Sequence, residues 1–136
     1  MLAKEISVLV ENEMGILHRI TDLLADRGIN IEAVAGYEVL ESKNAEMMFV
    51  VDDTLRACDT LKAKGYGAVD ENDVIVVDMV NKPGALKAVT RLLAVKGINV
   101  RYIYGSAGSE ADYVRVVMLT SDNEKALIAL KKSIPT

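Results

Sequence analysis

The chain has 136 residues, 51 % of them apolar and 26 % charged, with a formal charge of −4. This composition excludes a disordered chain and calls for a packed core, and the length admits one medium domain or two small ones. One cysteine, Cys58, and one histidine, His18, exclude an intramolecular disulfide and a Cys/His zinc cluster within one chain, and no Lys/Arg stripe is long enough to serve nucleic acid or a membrane surface.

The first residues run into strand-like alternation without a signal-like apolar stretch, and no window approaches the roughly 18 continuous apolar residues of a membrane span, so a cytoplasmic protein is expected. Ile6, Val8 and Val10 alternate with Ser7, Leu9 and Glu11, the pattern of a strand whose second face is partly apolar. Glu11 to Gly15 break the alternation. Ile16, Leu17, Ile20, Leu23 and Leu24 then recur at helical spacing until Gly28 supplies a left-handed stop. Ile29, Ile31 and Ala33 resume period two, Gly36 invites a bulge or bend, and Glu41-Ser42-Lys43-Asn44 is the turn of a hairpin that returns through Ala45 to Val51. Asp53 or Thr54 caps a second helix bearing Leu55, Cys58 and Leu61, and Gly65 to Val69 offer a short closing strand. The order β-α-β-β-α-β is an α+β, ferredoxin-like unit with helices on one face of an antiparallel sheet.

The same order follows a second time. A shift of 69 residues lays Asn12-Glu13-Met14-Gly15-Ile16-Leu17 over Asn81-Lys82-Pro83-Gly84-Ala85-Leu86 without a gap, and half of the twenty positions from Asn12 to Ile31 are identical to their partners. Two units are therefore expected, residues 1–70 and 71–136. The second takes strands from Val74 to Met79, Ile98 to Tyr104 and Tyr113 to Leu119, and helices from Gly84 to Lys96 and Asp122 to Lys132. Only Ser133 to Thr136 stand where the first copy has its closing strand, so the second unit is expected to lack its own final strand. A strand from the first unit or from a second chain is expected to cover that edge. Residues 1–70 carry 7 Lys/Arg against 13 Asp/Glu, and residues 71–136 carry 9 against 7. That asymmetry either helps the halves or their copies associate or is merely uneven solvated surface.

Function has to be argued from the loops, because this topology hosts many functions. An RNA-binding sheet needs stacking aromatics, and the third strand offers only Phe49 beside acidic neighbours. No nucleophile stands near a base and no carboxylate pair sits in an apolar setting, so neither an enzyme nor a bound cofactor or metal is expected. His18 lies off the apolar stripe and is replaced by Lys87 in the second copy, which reads as surface, while Cys58 reads as a small core residue. Both copies keep Asn-x-x-Gly, with Asn12 and Asn81, leading into a helix N-terminus. Unpaired backbone N–H groups there suit a carboxylate, and glycine lets a ligand approach the main chain. The plainer reading is that the asparagines cap the turn and the glycines permit the bend. Asn30 and Asn99 are likewise kept, within apolar strand starts where Asn is disfavoured and needs a partner, unless a neighbouring turn or water satisfies them.

The stretch from Val8 to Leu17 and that from Val80 to Leu86, each followed by Gly-Ile-Asn and Ile or Val, resemble the ACT domain. The resemblance covers nearly the whole chain and implies amino-acid sensing by a regulatory protein. In ACT proteins two domains commonly lie side by side, with the effector between the first strand-to-helix loop of one and the second strand of its neighbour. Carried over, this nominates Asn12, Glu13, Met14, Gly15 and Ile16 with Asn99, and Asn81, Lys82, Pro83, Gly84 and Ala85 with Asn30. The first loop departs from the pattern with Met14 in place of proline. Serine-sensing members carry a histidine two residues before the loop Asn, where this chain has Val10 and Met79, so serine is not the expected ligand. Glu13 and Lys82 are equivalent positions of opposite charge, so the loops will not treat an acidic ligand alike. Val10, Met14, Ile16, Met79 and Ala85 favour an apolar amino acid. The first copy also resembles the start of the small regulatory subunit of acetohydroxyacid synthase. The implied protein is a tandem ACT sensor, a homodimer that passes its ligand state to an enzyme partner. The alternative is a structural interaction module, or a regulatory subunit of that synthase type, without independent ligand sensing, which silent substitution of Asn30 and Asn99 would favour.

Overall fold

The alternating runs form strands and the 3.6-period runs form helices in the computed structural model, which describes residues 1–131. In chain order they are β1 (Leu2–Glu11), α1 (Ile16–Asp26), β2 (Ile31–Glu38), β3 (Asn44–Val51), α2 (Thr54–Ala63), β4 (Val69–Val80), α3 (Ala85–Val95), β5 (Val100–Ser106), β6 (Tyr113–Thr120) and α4 (Asn123–Lys131). Lys132, expected as the last helical residue, and Ser133 to Thr136, where the second copy has room for a closing strand, lie outside the described residues.

The chain divides into two compact units, Lys4–Asn72 and Met1–Ala3 together with the chain from Asp73 onward. In the first, the strands lie in the order β2-β3-β1-β4, with only the opening residues of β4 belonging to this unit. In the second the order is β5-β6-β4-β1, and here β1 contributes only its beginning. Within this unit the first residues of the chain pair with β4: the Met1 amino group donates to Val76 O at 2.8 Å and the Val76 N–H returns to Met1 O at 2.9 Å. Gly65 to Val69 do not form a separate strand. Pairing starts at Ala68, whose carbonyl accepts from the Leu9 N–H, and β4 then runs without a break to Val80.

Each unit buries one helical stripe against one sheet face. Ile6, Val8 and Val10 of β1 meet Ile16, Ile20 and Leu24 of α1 and Leu61 of α2 around Phe49. Ile75, Val77 and Met79 of β4 meet Val89 and Leu93 of α3 and Leu130 of α4 around Met118. Burying each such aliphatic side chain contributes about 1.5–3 kcal/mol. Asp53, not Thr54, is the cap of α2, accepting from the Arg56 N–H.

Three further expectations are corrected. Leu17, counted into the apolar stripe, is 42 % exposed, and its counterpart Leu86 is 48 % exposed, because each lies about 100° around the helix from the inward-facing residue before it. Leu55 is exposed and Ala57 takes its place in the core. The register shifts fall between Ile31 and Ala33 and between Val100 and Tyr102, not at Gly36.

Candidate functional site

The two strand-to-helix loops are built alike. Gly15 (φ 82°) and Gly84 (φ 89°) occupy the cap positions in the left-handed region, which an L side chain enters only under strain, so no side chain caps either helix. Ile16 N–H turns back to Glu13 O and Ala85 N–H to Lys82 O, both at 3.2 Å. The next donors, on Leu17 and His18 and on Leu86 and Lys87, have no protein acceptor among the described residues. These N–H groups at the positive end of a helix dipole suit a carboxylate.

The loop asparagines hold the loops in place. Asn12 N–H donates to Lys43 O at 2.7 Å and its side-chain amide donates to the Glu38 carboxylate at 2.9 Å. Asn81 N–H donates to Asp112 O at 2.8 Å and its side-chain amide to Ala111 O at 3.0 Å. In each unit the asparagine thereby ties its loop to the hairpin that ends the neighbouring strands.

Beside each loop lies a cavity, and the two correspond residue by residue under the 69-residue shift. In the first unit Asn12, Leu17, Val34, Gly36, Ala45 and Met47 border about 340 Å³. In the second Asn81, Leu86, Ile103, Gly105, Val114 and Val116 border about 460 Å³, together with Met79, Lys82 and Ala85. The strand side is closely packed: a Cβ on Gly105 would lie 2.7 Å from the main-chain Arg115 O and 3.0 Å from Val116 Cγ2, and one on Gly36 would lie 2.7 Å from Met47 Sδ, at the end of a flexible side chain. A further space of about 390 Å³ in the first unit is bordered by Glu13, Ile16, Arg19, Lys64 and Tyr66.

The electrostatics of the loops differ. Glu13 is engaged by the Arg19 guanidinium of its own unit. Lys82 is exposed at the larger cavity and makes no ion pair among the described residues. Away from the loops, the Arg115 guanidinium holds the Asp78 carboxyl below the usual carboxylate range through hydrogen bonds at 2.9 and 3.1 Å. Burial pushes the Cys58 thiol up, and it stays a buried side chain. His18 is exposed. Among the described residues no group of three or more His, Cys, Asp or Glu could hold a metal ion, and no helix is long and apolar enough to cross a membrane.

Of the nominated residues, Asn81, Lys82 and Ala85 meet at the larger cavity and Asn12 stands at its smaller counterpart. Glu13 and Ile16 face the third space instead. Met14 is 99 % exposed, and Gly15, Pro83 and Gly84 are exposed turn residues. Asn30 and Asn99 stand just ahead of β2 and β5 rather than within them, exposed, their main chains held by Asp52 and Ser121. The premise that a strand-interior asparagine needs a partner is thus removed, and each lies about 25 Å, one strand length, from the loop of its own unit. The cavity residues of β2, β3, β5 and β6 were not nominated. Their one signal in the sequence is the pair Gly36 and Gly105 at the repeat spacing.

Residues 6–63 match the AHAS small subunit-like ACT domain family. The chain is similar over 97 % of its length, at 31 % identity and a TM-score of 0.88, to the crystal structure of protein BT0572 from Bacteroides thetaiotaomicron, of which it covers 88 %. It shares its fold with the ligand-free regulatory subunit of aspartate kinase from Thermus thermophilus, at a TM-score of 0.72 and 23 % identity over 99 % of this chain and 96 % of that one. A structure of aspartokinase alpha and beta subunits is similar at a TM-score of 0.69 and 23 % identity, over 96 % and 95 % of the two chains. Among curated proteins none matches the sequence. The family match falls on the first loop and helix, the second loop and helix repeat them 69 residues on, and both fold as β-α-β-β-α units: the chain belongs to the ACT-domain family and carries the domain twice.

Proposed function

We propose that this chain is a non-catalytic, cytoplasmic regulatory protein that binds a small amino acid at the β4–α3 loop and passes the bound state to an enzyme partner. The observation that carries the reading is the cavity of about 460 Å³ in which Asn81, Lys82 and an uncapped helix N-terminus stand over an apolar floor of Met79, Ile103, Val114 and Val116. A volume of this size, mostly apolar with a few convergent polar groups, is the usual form of a small-molecule site. The ligand carboxylate goes to the Leu86 and Lys87 N–H groups with Lys82 alongside, and an apolar side chain goes to the floor. Asn30 of a neighbouring ACT unit closes the site, as the family resemblance implies. The equivalent first loop, where Arg19 already occupies Glu13 and Asn12 holds Glu38, is the poorer candidate. Regulatory subunits of aspartate kinase with this fold support a regulatory role, and the match to the AHAS small subunit-like domain makes an amino-acid-synthesising enzyme the partner class to test first.

The test is a thermal-shift panel of the twenty amino acids on the parent and on Lys82→Ala. A ligand at one hundred times its Kd adds about 2.7 kcal/mol to the stability of the folded state. An apolar amino acid is expected to stabilise the parent, and Lys82→Ala to weaken that effect several-fold. A flat panel at millimolar ligand returns the chain to the interaction-module reading.

A further inference from the structure

The third space, of about 390 Å³ in the first unit, has no part in the function proposed above. It meets α1 at Ile16 and Arg19, whereas the cavity that repeats the proposed site meets that helix at Leu17, so the two lie on different flanks of the first turn. Its other walls are the end of β1 and residues 64–67, ahead of β4. The repeat does not keep its charges: Glu11, Glu13, Arg19 and Lys64 fall on Val80, Lys82, Ala88 and Ser133. In the same stretch the residues that shape the turn are kept, Asn12 and Gly15 as Asn81 and Gly84, so the fold alone does not call for these charges.

The space opens where the pairing of β1 with the chain entering β4 stops. Leu9 N–H reaches Ala68 O at 3.0 Å, and among the described residues no further main-chain bond joins the two segments on the loop side of that contact. N–H groups alternate sides along a strand, and that of Asn12 goes to Lys43 O beside β3, so that of Glu11 points to the β4 side. Neither it nor the Gly67 N–H has a protein acceptor among the described residues. Glu13 is held by Arg19, whose guanidinium has more donors than that pair uses. Glu11 and Lys64, on different walls, are exposed and make no ion pair among the described residues. Val10 and Ile16 supply a small apolar floor. A simple anion here would meet two carboxylates, and a simple cation would meet Arg19 and Lys64. A small molecule that carries both charges satisfies each wall.

We propose that this space is a second small-molecule site, distinct from the one at Asn81, and that it takes a small zwitterion. The ligand carboxylate goes to Lys64 and the Glu11 and Gly67 N–H groups, and its ammonium goes to the Glu11 and Glu13 carboxylates. The volume is that of a small-molecule site, and the walls are complete within the first unit, so no second copy is needed. A bound zwitterion ties residues 64–67 to the end of β1 and continues the line of main-chain bonds that ends at Leu9. The proposal does not depend on ligand binding at Asn81.

The experiment is an amide NMR titration of the full chain with glycine and with β-alanine, and with acetate and methylammonium as probes of a single charge. It is run on the parent and on Lys82→Ala, which weakens the cavity at Asn81, so that failure of one site does not carry the other. Saturable shifts of the Glu11 and Gly67 amide signals are expected with at least one zwitterion, equally in both chains, and the single-charge probes are expected to bind about tenfold more weakly or less. Glu11→Gln and Lys64→Met change exposed side chains, and each is expected to weaken binding by about tenfold. The parent titration decides by the location of the shifts even where a variant does not fold. No saturable shift at these amides with millimolar probe, shifts confined to Leu86 and Lys87, acetate binding as well as glycine, or two folded variants that bind like the parent would each overturn the proposal.

Discussion

At the residue scale, the clearest departure from the repeat lies on β1 and β3. Glu5 and Ser7 are buried in the first unit where the second has Val74 and Val76, and Glu46 stands where the second has Arg115. Asn72 holds this group together, its amide donating to Glu5 Oε1 and Ser7 Oγ at 3.2 Å each. The Glu46 carboxyl is held above the usual range, by burial first and by the negative charges of Asp70 and Glu5, against a hydrogen bond from Ser7. A raised folded-state value means that folding favours the protonated carboxyl. The resulting stabilisation is complete below the unfolded value near 4.5 and is lost as pH rises through the folded one. Glu46→Gln removes that titration, so its stability relative to the parent is expected to improve as pH rises above the ordinary carboxylate range, measured by urea unfolding. A difference that does not grow with pH would remove the burial argument. None of this was legible in the sequence, since Glu5, Ser7 and Glu46 lie on the strand face that alternation assigns to water.

Elements were easier to read than side chains. Periodicity located the four helices and the strands of the described residues, though it divided β4 into two, because each buries one face, and burial enforces period two or 3.6. What periodicity could not show is the neighbour across a strand, and Gly36 and Gly105 are the instructive case. Gly36, read as a bulge or bend, and its repeat partner Gly105 prove to be positions where an added Cβ would meet the facing strand closely. The obstacles differ, main chain at Gly105 and the end of a flexible thioether at Gly36. Gly105→Ala is therefore expected to cost about 1–3 kcal/mol and Gly36→Ala clearly less, by denaturant unfolding. The candidate site was half legible for the same reason. Its loop residues announce themselves by composition, whereas the floor of β5 and β6 is ordinary strand sequence that becomes a cavity wall only by register.

For the whole molecule, the pairing of the first residues with β4 was not visible in the sequence. Nothing in Met1-Leu2-Ala3 distinguishes it from the rest of β1, and the division becomes apparent only from the partners of Val76. Removing Met1–Ala3 is expected to leave the first unit protected in hydrogen exchange while the Val76 amide and its neighbours on β4 exchange faster, because they lose the strand that covers their edge. Equal protection with and without the three residues would show that their pairing contributes nothing.

The exchange of strand segments between the halves also governs how the gene can be cut. Scission after residue 70 parts neither unit cleanly, since it strands Met1–Ala3 on one fragment and Asn72, the donor to Glu5 and Ser7, on the other. Each fragment then carries a piece that only the other can use. Such fragments are natural partners for complementation: poorly folded when produced apart, and recovering the parent's circular dichroism when produced together.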